Sequence, residues 1–349
     1  MSVTFTDILH LLADGIDLSA EQARFALNSI IQGELSETEI AAFLFGMRAK
    51  GETLTEMITF TRLMREVTVH VDVDTKGAVD VCGTGGDQSG TVNISTAVMF
   101  VVAGAGVPVL KHGNRSVSSS SGSVDVLEAL GVKPLMHKEI VEECYHQTGM
   151  GFMFAPYFHP AMKHVTPVRK SMKMRTFFNM MGPLLNPAHV KRQVIGAYSV
   201  DIARMLADIQ SNLDMEFVHT VHSNDGLDEL SVSSRSVVFE VKNGQVNENP
   251  MFKPSDLGFQ TSPMTDIIGG DAHQNAGIIR ELFQGKSTQG LKDVVLLNST
   301  YAIYTSGKVD SLQVSLEMAR ESLANGDALI KLNDFVACTN DLNLTESVA

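Results

Sequence analysis

The sequence predicts an α/β protein in two parts: a small helical domain over 1–72, then a larger α/β domain with a mostly parallel central sheet over 73–167 and 191–345. Three observations carry this reading. Apolar residues recur at three- and four-residue spacing near the N-terminus, short apolar runs alternate with helical stretches from Val79 onward, and polar glycine-containing loops follow several of those runs.

In the first part, Ile8, Leu9, Leu11 and Leu12, and again Ile40, Phe43, Leu44 and Met47, place apolar side chains on single helix faces. Ser19 with Gln22, Ser36 with Glu39, and Thr53 with Glu56 read as capping boxes that start helices. In the second part the runs AVDVC, VPVL, GFMFA, QVIGAYS and FVHTVHS read as strands joined by crossover helices. SVVFEVKNGQVNE reads as a hairpin turning at Asn243 and Gly244, which puts an antiparallel strand at the sheet edge. The stretch Val168 to Pro187 is helical and Met-rich, and 168–190 is expected to pack back onto the helical domain.

A hydrophobic fraction of 44% is enough for a large core. The 27 Lys and Arg stand against 40 Asp and Glu, a formal charge of −13, so most of the surface repels nucleic acid and anionic membranes. A small anionic ligand then needs a local site with its own cations. No apolar run reaches the roughly 18 residues that span a bilayer, and the N-terminus is acidic where a signal peptide is basic, which points to a cytoplasmic chain. Cys82, Cys144 and Cys338 have no metal-type spacing and are expected to be small buried side chains.

The chemistry is concentrated in loops beyond apolar strands, where open α/β sheets bind ligands. GTGGDQSGTVNIST, Gly83 to Thr96, offers glycines at 83, 85 and 86 whose N–H groups can converge on a phosphate. Asn93, Ser95 and Thr96 then open a helix whose N-terminus favours an anion. KHGNRSVSSSSGS, Lys111 to Ser123, sits between the VPVL strand and the helical VDVLEALG, so it reads as a site and not as a flexible linker; His112 fits a structural or a ligand role equally. SNDGLDELS brings the adjacent carboxylates Asp228 and Glu229 to a strand end, where Mg²⁺ suits them if phosphate is present. Among Arg169, Lys170, Lys173 and Arg175, an arginine can grip a planar carboxylate, while Lys170 and Lys173 read as a solvated basic face.

Taken in order, GTGGD, NIST, KHGNRSVSSSSGSVDVLEALG, HPAMKHVTPVRK, RTFFNMMGPLLNP and DGLDE make the chain resemble the anthranilate phosphoribosyltransferase family over nearly its whole length. The resemblance implies a fold of the nucleoside-phosphorylase type, dimerising through the helical domain. It implies transfer of the phosphoribosyl group of phosphoribosyl pyrophosphate to the amino group of anthranilate, in tryptophan biosynthesis. By the same resemblance, Gly83, Gly86, Asp87, Thr91, Asn93, Ile94, Ser95, Thr96, Lys111, His112, Gly113, Asn114, Arg115, Ser116, Val117, Ser118, Ser119 and Ser123 form the phosphoribosyl pyrophosphate site. Gly83, Asn114 and Arg169 contact anthranilate, with Arg169 on its carboxylate, while Ser95, Asp228 and Glu229 hold two Mg²⁺ ions. The resemblance implies catalytic roles for Lys111, Arg169, Asp228 and Glu229. Two substrates held between domains imply hinge closure before reaction.

The chain departs from the family pattern at Val92, where an aromatic is frequent, and at Ser223, where a glycine often stands; both bear on loop mobility and neither removes a ligand or a charge. A pyrimidine nucleoside phosphorylase of similar fold would also bind phosphate and ribose, but KHGN and HPAMKHVTPVRK favour the transferase. A nucleic-acid-binding relative would be basic, whereas this chain is acidic and keeps Asp228 and Glu229.

Overall fold

A computed structural model describes residues 3–86, 89–115, 121–133 and 137–346. Four helices open the chain: α1 (Phe5–Ala13), α2 (Ala20–Ile31), α3 (Glu37–Lys50) and α4 (Leu54–Glu66). Each starts at a capping box, from Thr4, Ser19, Ser36 and Thr53, in which the hydroxyl accepts an N–H three residues on and that residue's side chain accepts the cap N–H. The first box was not anticipated, because its partner is Asp7 and not a Glu or Gln.

The bundle core stacks aromatic rings: Phe43 lies 5.9 Å from Phe5 and 6.3 Å from Phe60. Phe177, from far down the chain, completes it with a stacked contact to Phe60 at 4.8 Å. The helix Thr166–Met172 also packs on α3.

Among the described residues seven strands follow: β1 (Asp80–Gly83), β2 (Val109–Gly113), β3 (Met150–Phe154), β4 (Arg192–Gly196), β5 (Phe217–Ser223), β6 (Ser236–Lys242) and β7 (Gln245–Phe252). Five pair in the order β1-β4-β5-β6-β7, and β2 pairs with β3. The two groups are stitched by Val79, which donates to Pro108 and accepts from Leu110, 3.0 and 3.1 Å. The resulting order 3-2-1-4-5-6-7 is parallel from β3 to β5, with β6 and β7 antiparallel. The hairpin turns at Asn243 and Gly244 with φ of 53° and 73°, as an Asn-Gly type I′ turn requires.

Helices α5 (Ile94–Gly104), α6 (Ser123–Ala129) and α7 (Lys138–Thr148) connect β1 to β2 and β2 to β3. α5 is apolar on all sides and correspondingly buried, wedged among β1, β2, Gln289–Thr305 and Asp327–Glu346. Neighbouring strand residues point to opposite faces: Val81 and Val194 join the cluster containing α5, while Cys82 and Ile195 join the cluster that holds the helical bundle and Val200–Ser211. The three cysteines are buried and unpaired by disulfides. Among the described residues, no helix is long and apolar enough to cross a membrane.

Candidate active site

The chain leaves β1 towards β2 on one side and leaves β4 towards β5 on the other, so the crevice beyond their carboxyl ends is a topological switch point. Gly83 and Gly196 end the two strands as register partners. The loop after β5 folds over them and places Asp228 Oδ2 2.9 Å from the Gly85 N–H, which donates to it. A Cβ at Gly83 would stand 2.7 Å from that oxygen, and one at Gly196 would stand 1.3 Å from the Asp228 carbonyl oxygen. Both strand ends must therefore be bare for the carboxylate to enter.

The Thr84 N–H donates to Gly196 O at 2.8 Å and the Gly85 N–H to Asp228, so these two amides hold the loop on the strand ends. The first turn of α5, with Ile94 and Ser95, supplies helix-terminal amides that have no intrahelical acceptor.

Ser95, Asp228 and Glu229 line one small cavity with Val81, Cys82 and Asn298. Lys111 is 2% exposed, and its ammonium donates to Val81 O and, at 3.2 Å, to Ser95 Oγ. Its burial follows from the strand: Lys111, His112 and Gly113 are the last residues of β2, paired to β3, although the sequence reading placed them in a loop. Among the described residues no three His, Cys, Asp or Glu side chains gather as a metal site. Two carboxylates and a hydroxyl remain, an all-oxygen set suited to a hard cation that keeps its waters, such as Mg²⁺.

Two residues that sequence reasoning missed fix this loop. Asn298, inside the buried helix Gln289–Thr305, accepts from the Leu230 N–H at 3.1 Å and donates to Leu230 O at 2.8 Å. The signal was a carboxamide within the apolar run VVLLNSTYAI. The other is Gly196, a glycine at a strand end. Ser223, flagged as a departure, fastens the turn: its hydroxyl donates to Glu229 O at 2.6 Å and accepts from the Ser231 N–H at 3.0 Å. Val92 is buried, with its N–H donating to Ile267 O.

The rest of the expected site spreads around this centre. Thr91 bridges Ile268, and Thr96 is buried in the first turn of α5. Asn93 meets Ser121 and Asn275 in a side-chain network at 2.9–3.1 Å. Asn114 Oδ1 accepts the Arg115 N–H, and its carbonyl accepts Ser123 Oγ–H at 3.4 Å, while Gly113 is crowded by Ser123 and Phe152. Arg115 turns to α6, where it pairs with Asp125 and Glu128 at 2.8 and 2.6 Å. Asp87, Ser116, Val117, Ser118 and Ser119 lie outside the described residues. Arg169, half-buried, sits over the Phe178 ring at 5.4 Å and donates to Asn179 Oδ1 at 3.4 Å; burial lowers its pKa. Lys170 and Lys173 are exposed.

Below the site, His112 Nδ1 lies 3.4 Å from Asp80 Oδ2, which also accepts from Asn186 at 2.9 Å and Gln193 at 3.1 Å. Burial pushes the Asp80 carboxyl up, but the His112 bond and charge, the Lys111 charge and Asn186 outweigh it and leave the group below its ordinary value. His159 contacts Thr68 through Nδ1 at 3.1 Å, and its buried Nε2 has no partner among the described residues. Burial, helped by the charge of His112, depresses its pKa to about 3. The unfolded chain protonates first, near pH ~6.5, so stability is complete above that pH and declines as pH falls towards the folded value, by up to about 1.4 kcal/mol per unit. Calorimetry is expected to show Tm falling from pH 7 to pH 5, with a shallower slope in His159→Gln; an equal slope would place the titration elsewhere.

The class of protein to which this helical bundle and α/β domain belong is the two-domain glycosyl transferases. Family models agree: the glycosyl transferase family helical bundle domain matches residues 6–68, and its a/b domain matches residues 75–329. The chain is 44% identical over 339 residues to anthranilate phosphoribosyltransferase of Salinibacter ruber, covering 96% of this chain and 98% of the relative. A crystal structure of anthranilate phosphoribosyltransferase from Thermus thermophilus superposes with a TM-score of 0.88 at 36% identity, over 96% of this chain and 99% of that one. The Saccharomyces cerevisiae enzyme in complex with PRPP and Mg shares the fold, with a TM-score of 0.86 at 24% identity over 98% and 99% of the two chains. The chain belongs to the anthranilate phosphoribosyltransferase family.

Proposed function

We propose that the crevice beyond β1 and β4 transfers the phosphoribosyl group of phosphoribosyl pyrophosphate to the amino group of anthranilate, giving N-(5-phosphoribosyl)anthranilate and pyrophosphate. The observation that carries this is the shared cavity lined by Ser95, Asp228 and Glu229, from separate parts of the chain, with the Lys111 ammonium donating to the Ser95 hydroxyl. Ser95, Asp228 and Glu229 would hold two Mg²⁺ ions. When bound, Mg²⁺ supplies positive charge to the leaving pyrophosphate.

Departure of pyrophosphate leaves an oxocarbenium-like ribosyl carbon, so the protein's main task is to receive charge on the leaving group and to hold the acceptor in line. The first-turn amides of α5 and the buried Lys111 contribute fixed positive ends there. The aryl amine of anthranilate is largely unprotonated at neutral pH, so positioning does most of what remains. Arg169 takes the carboxylate through two parallel hydrogen bonds, with Gly83 and Asn114 beside the ring. Its partly desolvated guanidinium, held over Phe178, strengthens that grip. The phosphoribosyl pyrophosphate contacts extend over Gly86, Thr91, Asn93, Thr96, His112, Gly113, Arg115 and Ser123, with Asp87 and 116–119 completing them.

Loss of anthranilate fluorescence, followed alongside pyrophosphate release with and without Mg²⁺, tests the reading. Mg²⁺-dependent turnover is expected. Arg169→Ala should raise the KM for anthranilate about 10- to 100-fold, the ~1.5–3 kcal/mol of a charged hydrogen bond, with little change for phosphoribosyl pyrophosphate. No turnover by the folded protein would sink the assignment.

A second copy of the chain is the remaining partner, docked through the helical domain, where Phe45 on α3 is 59% exposed. Light scattering should give twice the 37.8 kDa of one chain; a single-chain mass refutes the pairing.

A further inference from the structure

We propose that Arg175 is a positioning residue that couples the two substrate sites, so that filling the phosphate and metal side tightens the anthranilate side. This rests on the functional reading above. Arg175 lies in the turn between the helices Thr166–Met172 and Phe178–Met181. Its guanidinium donates to Gly86 O in the phosphate loop and stacks 4.3 Å from the Tyr198 ring, beyond β4. Gly86 has φ +83°, and a Cβ there would meet Arg175 Nη2 at 2.7 Å, so the grip requires glycine. The Tyr198 N–H in turn donates to Thr84 Oγ1 at 3.2 Å, which binds the stacking platform to the same loop.

Contacts continue in both directions from this residue. On the loop side, the Gly85 N–H donates to Asp228 Oδ2 at 2.9 Å. On the other side, the N–H of Thr176 donates to Asn179 Oδ1 at 3.0 Å, and the same oxygen accepts from Arg169 at 3.4 Å. An unbroken path of hydrogen bonds and adjacent backbone thus runs from Arg169, through Asn179, Arg175 and Gly86, to Asp228. Further anchors of this segment lie in the helical bundle, where Phe177 stacks on Phe60 and Thr166–Met172 packs on α3. Arg175 is where a segment rooted in the bundle takes hold of the phosphate loop. A shift of that loop on binding reaches the Arg169 side chain through Arg175, because its delocalised fork hydrogen-bonds and stacks at once.

Coupling of this kind is reciprocal. Titration of anthranilate fluorescence on the whole protein, with and without Mg²⁺ and inorganic pyrophosphate in place of phosphoribosyl pyrophosphate, measures it without turnover. In the unaltered protein, pyrophosphate with Mg²⁺ is expected to raise anthranilate affinity about 10-fold, within the usual range for coupled sites. Arg175→Ala should bring that factor close to 1 while anthranilate affinity without pyrophosphate changes less than twofold. Tyr198→Leu, which keeps the arginine but removes its platform, should give an intermediate factor, and it serves if Arg175→Ala lowers Tm. A coupling factor unchanged in both variants, or absent from the unaltered protein, overturns the proposal. Failure of the functional reading shows separately, as no turnover of phosphoribosyl pyrophosphate and anthranilate by the unaltered protein, and would overturn both.

Discussion

Replacing Asp228 and Glu229 together with alanine is expected to lower kcat by about 10³-fold, the ~4 kcal/mol of charge stabilisation that a metal at the leaving group supplies, and to abolish the response to Mg²⁺. The reason is local. Asp228 is 6% exposed and wedged against Gly83 and Gly85, and the backbone on its C-terminal side is fixed by Ser223 and Asn298, so the fold holds this carboxylate in one place. Lys111 survives the change and keeps part of the charge, which is why some activity should remain. The KM for anthranilate should be nearly unaffected. Asp228→Asn separates the two jobs of this side chain: it keeps an acceptor for the Gly85 N–H, so Tm should match the unaltered protein while Mg²⁺ activation is lost. Mg²⁺-dependent turnover persisting in the double variant would remove these carboxylates from the mechanism.

Gly196→Ala is expected to be nearly as damaging although it adds only one methyl group and removes no charge or hydrogen-bonding group. Its Cβ would fall 1.3 Å from Asp228 O and 2.5 Å from the carbonyl carbon, both backbone atoms. Ordinary contact needs about 3.5 Å, so the loop would have to retreat by about 2 Å. Misplacement of a reacting group by about 1 Å costs on the order of 10²-fold, so kcat should fall at least that far. Overpacking at a buried strand end should also cost about 1–3 kcal/mol of stability. Stopped assays over a Mg²⁺ series, read beside thermal melts, check both effects. An alanine variant with unaltered kcat would mean that the Asp228 loop is free to move.

These two sites differ in how far the sequence disclosed them. Asp228 and Glu229 stood out as adjacent carboxylates at a strand end, a property of a few consecutive residues. Gly196 did not, because only the return of a loop 32 residues later shows why a side chain is excluded there. The same division runs through the molecule. Three helix starts, the Asn-Gly hairpin and the β1 to β5 strands were legible, since capping, turn chemistry and apolar alternation act within a few residues. The end of β2 was not: Lys111 and His112 are polar, yet partners supplied by β1 and α5 make their burial tolerable. Arg175 was visible only as one basic residue among four, and Asn298 was hidden in an apolar helix, because both act through contacts with distant backbone.

Phe177 has one more effect. The bundle core it completes runs without a break into the face of the sheet formed by Cys82, Ile195, Val218 and Phe239. Two modules meeting near residue 70 in sequence are therefore not mechanically independent in the fold. A chimera that exchanged the first 70 residues with those of a relative would inherit a half-built interior unless residues 165–185 travelled with them, so recombination in this scaffold has to cut the chain in two places to move one module.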